Sequence, residues 1–536
     1  MRNRKMSVGF CSTLLLCVLS CAAQQYPSSA KTLASNSGRL GEVQFPVSFS
    51  GSVQSSFNRA VALLHSFQYA ESTVAFQDIA KADPHCAMAY WGLAMSLYQQ
   101  LWNFPDPATL TKGHEYVEKA QKIGAKTDRE REYIAAVTAF YQNDPKLSQI
   151  TRTTAYSKAL AELYEQHPDD VNAGAFYALS LVALAQDGVN GLANRKHAIA
   201  ILDKLFATHP DNPGVDHYLI HAADTPQLAS FGLAAARNYA KIAPDSAHAL
   251  HMPSHIFTRL GYWQESIHSN IASAAAAEQA TKSGRDNEWS YQIHAMTFLE
   301  YAYLESGQNA AARRVINEVE KVPGDSARDL AETRAMFNVT YAVENHDWKA
   351  AAALTVPPGD PYPSDRETVY WARTIGAARS GSPAAAHQDF LNLQRASADA
   401  NKKTGEPSNE SVEELEAEAW LDQSEGRGLQ AIEKMRSAVD KEGPYGVDIL
   451  GIPAEEMLGD LLLEQHHSRQ ALIAYRAGLK ESPNRLDALY GAARAASLAG
   501  STEEAKAYYQ QLVKSCGPAV GRKECRKAKV FLAKNE

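Results

Sequence analysis

Residues 210–263 read PDNPGVDHYLIHAADTPQLASFGLAAARNYAKIAPDSAHALHMPSHIFTRLGYW. Pro210 and Pro244 stand 34 residues apart, and each closes a stretch in which apolar residues recur at helical spacing. The same interval separates His217 from His251 and His221 from His255. Far downstream, Ala471 and Ala505 repeat at 34 and Pro483 follows Ala471 by 12. A helical period that restarts at a fixed interval identifies a stack of similar units, because one helical pair cannot bury its own apolar face.

Working outward, the clearest units run 213–244 and 248–282, with Leu260-Gly261-Tyr262-Trp263 at a turn. Further turns fall at Ser306-Gly307-Gln308, Glu344-Asn345-His346, Ser380-Gly381-Ser382, Glu425-Gly426-Arg427 and Ala499-Gly500-Ser501. Upstream, 67–84 reads as a second helix and 86–101 as the next first helix. No strand alternation persists anywhere, so the fold class is all-α. The 34-residue period, small residues at helix crossings and Pro between units resemble the tetratricopeptide repeat, a helix–turn–helix unit. This implies a right-handed α-solenoid of about ten helical pairs. The strings Leu64-His65-Ser66-Phe67, residues 83–92, His217-Tyr218-Leu219-Ile220-His221 and residues 248–257 further resemble a bacterial family of exported tetratricopeptide-repeat proteins. That resemblance implies fold and export rather than a reaction.

Arg2, Arg4 and Lys5 followed by the apolar residues 8–19 and Ser20-Cys21-Ala22-Ala23 form an export leader. Val18-Leu19-Ser20-Cys21 resembles a lipobox with Cys21 as the lipidated residue; cleavage after Ala23 is the alternative. The expected organisation is a leader over 1–20 and a flexible tether over 21–50. A repeat solenoid over 51–356 follows, then an irregular hinge with helices over 357–410 and C-terminal repeats over 411–536. Pro357-Pro358-Gly359-Asp360-Pro361-Tyr362-Pro363 and 402–408 are the strongest punctuation. The expected address is the periplasmic side of a bacterial envelope, as an outer-membrane lipoprotein or as a soluble periplasmic or secreted protein, with the membrane touched only through the lipid. In that oxidising compartment Cys516 and Cys525 are the natural disulfide, holding down a helix over 524–534. Cys86 sits in an apolar helical run and reads as a buried small residue.

With 53 Lys+Arg against 61 Asp+Glu the 536-residue chain carries a formal charge of −8, and losing the leader removes three positive charges more. No nucleic-acid partner follows from such a balance.

His217 and His221, like His251 and His255, are spaced i, i+4, which puts both rings on one helix face. One repeat apart, the two pairs occupy matching positions of consecutive first helices, expected on the concave surface. His248 and His294 take another matching position, and Tyr218 and Arg259 lie nearby. Three readings stand. The pairs could hold a zinc, copper or iron ion, with Asp216, Asp224 and Asp245 orienting the rings. They could line a groove that grips a peptide or anionic ligand, with His248, His294, Arg259 and Tyr218 as binding residues. They could also be packed histidines satisfied by hydrogen bonds. His65, Tyr90, Trp91 and Trp102 read more readily as core than as a site. No phosphate loop, nucleophile elbow, His-Glu-x-x-His or Cys-x-x-Cys occurs, so the sequence names no reaction. It predicts an exported scaffold that binds a protein or peptide on its concave face, with a histidine-ligated metal protein as the alternative.

Overall fold

The structure is a computed structural model that describes residues 38–535 apart from 103, 187, 189, 285–287, 323–326, 358–362, 405–409, 444–445 and 518–520. The leader, Cys21 and most of the tether lie outside the described residues, as do parts of the punctuation at 357–363 and 402–408. Helices joined by short turns run from Gln54 to Lys534, with no strand among the described residues, so the chain is all-α. At several helix starts a side chain takes over one of the first free N–H groups. Asp106 caps ahead of Pro107, Asn212 caps ahead of Pro213, and Thr127 with Glu130 and Ser411 with Glu414 form reciprocal capping boxes. No helix among the described residues is long and apolar enough to cross a membrane.

By packing, the chain divides into two compact units at Ile256/Phe257, inside the helix Pro253–Arg259 and ahead of the 356/357 boundary drawn from punctuation. In the first unit antiparallel pairs follow one another. Gln54–His65 packs on Tyr69–Ala82, Ala87–Ser96 on Pro107–Ile123, Asp128–Phe140 on Gln149–Gln166, Val171–Gln186 on Gly191–Phe206, and Pro213–Ala223 on Leu233–Ile242. First helices also touch first helices of neighbouring pairs, the arrangement of a tetratricopeptide-like stack. Enclosed in this way, the first helices Ala87–Ser96 and Pro213–Ala223 are buried at every residue. The stack bends until Gln54–His65 lies against Pro213–Ala223. That closure brings the turn after His65 to the histidine helix.

Residues at the end of the sequence-derived tether are part of this core. Leu40, Val43 and Phe45 are buried, and the Phe45 ring lies 4.8–5.3 Å from those of Phe57, Trp91 and Tyr133. The Phe45 N–H donates to Asn58 Oδ1 at 3.2 Å. Gln, Ser, Ala and Gly make up half of residues 24–45, a composition that hides three well-spaced apolar anchors.

The second unit repeats the pattern: Glu288–Glu305, Ala327–Glu344, Pro363–Arg379, Val412–Ser424, Ala454–Glu464 and Leu486–Leu498 touch in succession as first helices. Residues distant in sequence meet here too, with Trp263 Nε1 donating to the Asn484 carbonyl at 3.0 Å. Glu367, on Pro363–Arg379, is 8% exposed and accepts from Ser397 Oγ at 2.9 Å. Burial, reinforced by the charge of Glu413, pushes its carboxyl up to about 7. An acid whose folded pKa is raised contributes most below its unfolded value, and that contribution is lost as the pH rises through 7. Glu367→Gln is therefore expected to exceed the parent in stability by about 1–3 kcal/mol at pH 8, an advantage that shrinks toward pH 5. Urea midpoints at the two pH values check this, and a pH-independent difference would refute it.

Cys516 and Cys525 are bonded, and two glycines between them are held to a turn: Gly517 N–H donates to the Ser306 carbonyl at 2.8 Å and Gly521 N–H to that of Gly307 at 3.1 Å. The bridge ties Thr502–Ser515 to Lys523–Lys534. Closing so short a loop restricts the unfolded chain, so Cys525→Ser is expected to cost about 2–3 kcal/mol and to open the C-terminal helix to protease. Urea denaturation and limited proteolysis would show it, and an unchanged midpoint would contradict it. Cys86 is free and buried, with its thiol pushed up to about 11 by burial, which suits an inert packing residue.

Candidate functional site

Four residues, His65-Ser66-Phe67-Gln68, turn the chain between Gln54–His65 and Tyr69–Ala82. Phe67 has φ 56°, in the left-handed region that a bulky side chain seldom adopts. The turn is held by Gln68 N–H donating to the Leu63 carbonyl at 3.0 Å. The conformation places the Phe67 ring among histidines, with centroid distances of 4.3, 5.6 and 5.8 Å to His217, His221 and His248. Backbone strain held by its surroundings concentrates at functional sites.

His65 is fixed through both ring nitrogens. Asn172 Nδ2 donates to the Gln44 carbonyl at 2.9 Å, which orients the amide so that Oδ1 accepts from His65 Nε2 at 3.0 Å. His65 Nδ1 is then the acceptor for the Tyr218 hydroxyl at 3.0 Å. Burial lowers the His65 pKa to about 4, so the ring is neutral. Gly214 makes this possible, because a Cβ there would lie 2.3 Å from His65 Nδ1.

The carbonyl of His65 accepts from His217 Nδ1 at 2.6 Å. That bond sets the tautomer and leaves the His217 Nε2 lone pair facing the interior. Nε2 of His221 lies 3.1 Å from it and Nε2 of His248 3.0 Å. The three ligand-capable nitrogens are all within 4.8 Å of one another, and the three residues are 0%, 8% and 6% exposed. Burial lowers the His217 pKa to about 3 and takes that of His221 well below its ordinary value, the latter aided by the neighbouring His217. Both are neutral imidazoles, the form that binds metal. Trp102 closes the surroundings, 5.9 Å from His221 and 6.4 Å from His248 by ring centroids.

His251 and His255 form a second pair, with Nε2 atoms 3.1 Å apart. His255 Nδ1 donates to Asp224 Oδ2 at 2.8 Å, so Asp224 orients a ring as the spacing predicts. The rings of His221 and His255 are 6.5 Å apart. Asp216 accepts instead from Asn238 Nδ2 at 3.2 Å, and Asp245 from the Arg39 N–H at 2.6 Å. His217, His221, His248 and His251 are enclosed rather than set on an open groove, because the bend of the stack fills the inner side of their helices. Tyr218 is fully buried and serves His65. Arg259 donates to the Val447 carbonyl at 3.1 Å in the second unit, where the His294 ring packs on Phe298 at 5.4 Å. His65, Phe67 and Asn172 are missed by spacing alone; the string Leu64-His65-Ser66-Phe67 is the one trace of the first two in sequence, and Asn172 leaves none.

The second unit carries a depression along its first helices, lined by Ile375, Arg379, Trp420 and Met457 with Trp348 and Asp460. Arg379 is held between Trp348 and Trp420, 4.2 and 3.9 Å from their ring centroids, and its Nη1 donates to Asp460 Oδ2 at 3.1 Å. Trp420 is 1% exposed, and its indole N–H has no hydrogen-bond partner among the described residues.

Compared by sequence, the chain matches no protein-family model and no curated protein. Among solved structures it is similar to a tetratricopeptide repeat protein from Parabacteroides merdae, at 13% identity over 54% of this chain and 97% of that one, with a TM-score of 0.30. It is similar to yeast Tom70 at 10% identity over 90% and 96% of the two chains, TM-score 0.34. It is also similar to human IFIT1, solved as a dimer with PPP-AAAA, at 11% identity over 80% and 90%, TM-score 0.36.

Proposed function

We propose that this chain is an exported helical-repeat scaffold, tethered through Cys21, whose second unit holds a peptide segment of a protein partner against its first helices. The observation that carries the reading is the run of three successive first helices, Pro363–Arg379, Val412–Ser424 and Ala454–Glu464, with a crevice of about one water's size beside Arg379 and Asp460. Stacked repeats offer extended surfaces of this kind, and ligands span several units of them. Its chemistry suits a peptide. Ile375, Trp420 and Met457 are core residues that form its floor, Trp348 is half-buried beside them, and Arg379 with Asp460 supplies fixed charge.

A photo-crosslinking amino acid at Ile452, on the edge of the depression, is expected to give a discrete protein adduct in the producing cell. The same probe at Leu429, 75% exposed on a second helix, is expected to give none. Trp348→Ala should weaken the first adduct. Equal adduct patterns from both positions would remove the reading. Export and tethering are tested separately by mass spectrometry of the mature N-terminus, which should begin at a diacylglyceryl-modified Cys21.

A further inference from the structure

We propose that His217, His221 and His248 bind one divalent transition-metal ion of the zinc and cobalt class through their Nε2 atoms. The site lies in the first unit, shares no residue with the depression of the second, and goes beyond the scaffold reading.

Geometry carries it. Metal–nitrogen bonds of about 2.0–2.1 Å in a tetrahedral field put neighbouring nitrogens about 3.4 Å apart. The Nε2 atoms of His221 and His248 already stand 3.1 and 3.0 Å from that of His217. The third pair, His221 and His248, stands within 4.8 Å, so rotation of those two rings about their shared neighbour completes the set. Three imidazole nitrogens and no carboxylate or thiolate suit zinc, cobalt or copper better than magnesium or calcium, which take oxygen. Three protein ligands leave a fourth place for water or a small anion.

Hydrogen bonding alone accounts poorly for the cluster. With Nδ1 committed to the His65 carbonyl, His217 Nε2 carries a single in-plane lone pair. Two other Nε2 atoms crowd that one acceptor, and an ion would draw a lone pair from each ring instead. The surroundings are those of a metal ligand set: an outer nitrogen fixed by a backbone carbonyl and an apolar shell of Phe67 and Trp102. Helix spacing supplies His217 and His221 from successive turns of Pro213–Ala223, and Ala247–His251 supplies His248.

The test uses the full chain purified without a histidine tag, stripped by chelation and titrated with cobalt(II), then with zinc(II) in competition. A saturable, intense visible absorption of four-coordinate cobalt, displaced by zinc, is the expected result. His221→Ala and His248→Ala should each weaken cobalt binding by about 100-fold or more, since losing an outer-shell partner alone costs 10–100-fold. His85→Ala, at an exposed position, should leave it unchanged. His217 also braces the His65 turn, so His217→Ala could unfold the unit; the other two variants, with helicity verified by circular dichroism, keep the test decisive. No saturable cobalt spectrum from the parent, or the same spectrum from folded His248→Ala, overturns the proposal.

Discussion

Arg485→Met is expected to destabilise the protein by about 3–5 kcal/mol, more than any other single surface or core change considered. Arg485 is 1% exposed and sits at the start of Leu486–Leu498. Its guanidinium lies 2.7 Å from Glu456, 3.1 Å from Glu344 and 3.4 Å from Glu305, all buried. It also donates to the Tyr301 hydroxyl, and Leu486 N–H donates to Glu305 Oε2 at 2.7 Å. One cation thus serves three carboxyls drawn from three other first helices. Replacing the pair and its partners together with apolar groups could be neutral, but removing the cation alone strands buried anions.

The loss should depend on pH in a defined direction. Burial holds the Glu344 carboxyl well above its ordinary range and pushes Glu456 up to about 7, with Arg485 opposing both shifts. Without Arg485 that opposition is gone, so the folded state takes up protons at still higher pH. Stability contributed by such raised acids is present at low pH and lost as the pH rises. The deficit of Arg485→Met should therefore shrink between pH 8 and pH 5, and adding Glu344→Gln and Glu456→Gln should recover part of it at pH 8. Urea denaturation at both pH values decides the matter. A loss below about 1 kcal/mol would mean that water reaches the cluster.

The helices were legible in sequence because their signals are local. Pro213 at a first turn, Asn212 before it and apolar recurrence to Ala223 define a helix without reference to anything distant. The pairing of His217 with His221 was legible for the same reason. The third member of that cluster was not. Repeat register points to His251 and His255, yet His248, three residues earlier on the same short Ala247–His251 helix as His251, is the residue that meets His217. His65 and Asn172 lie even further from reach. They meet His217 and Tyr218 only because the stack bends through several repeats, and no periodicity reports that bend. Arg485 illustrates the same limit, since a lone arginine after Pro483-Asn484 looks like surface until Tyr301 and Glu344 are brought to it.

Gly214→Ala is expected to lower stability by about 3 kcal/mol and to disturb the histidine cluster with it. The position is helical with an ordinary backbone, where alanine would normally stabilise by about 1 kcal/mol. Space reverses the sign. The added Cβ would stand 2.3 Å from His65 Nδ1 and 2.7 Å from its Cε1. His65 cannot swing aside at low cost: Tyr218 and Asn172 hold both nitrogens, and its ring stacks on Phe176 at 4.6 Å. Relief must come from breaking those hydrogen bonds inside a closed core or from moving Pro213–Ala223 away from Gln54–His65. The second route pulls His217 Nδ1 off the His65 carbonyl and frees its ring to rotate. A urea midpoint and the cobalt spectrum read the two consequences independently. A normal midpoint in Gly214→Ala would show that the two helices have slack at their crossing, and the tautomer argument for His217 would lose its rigid support.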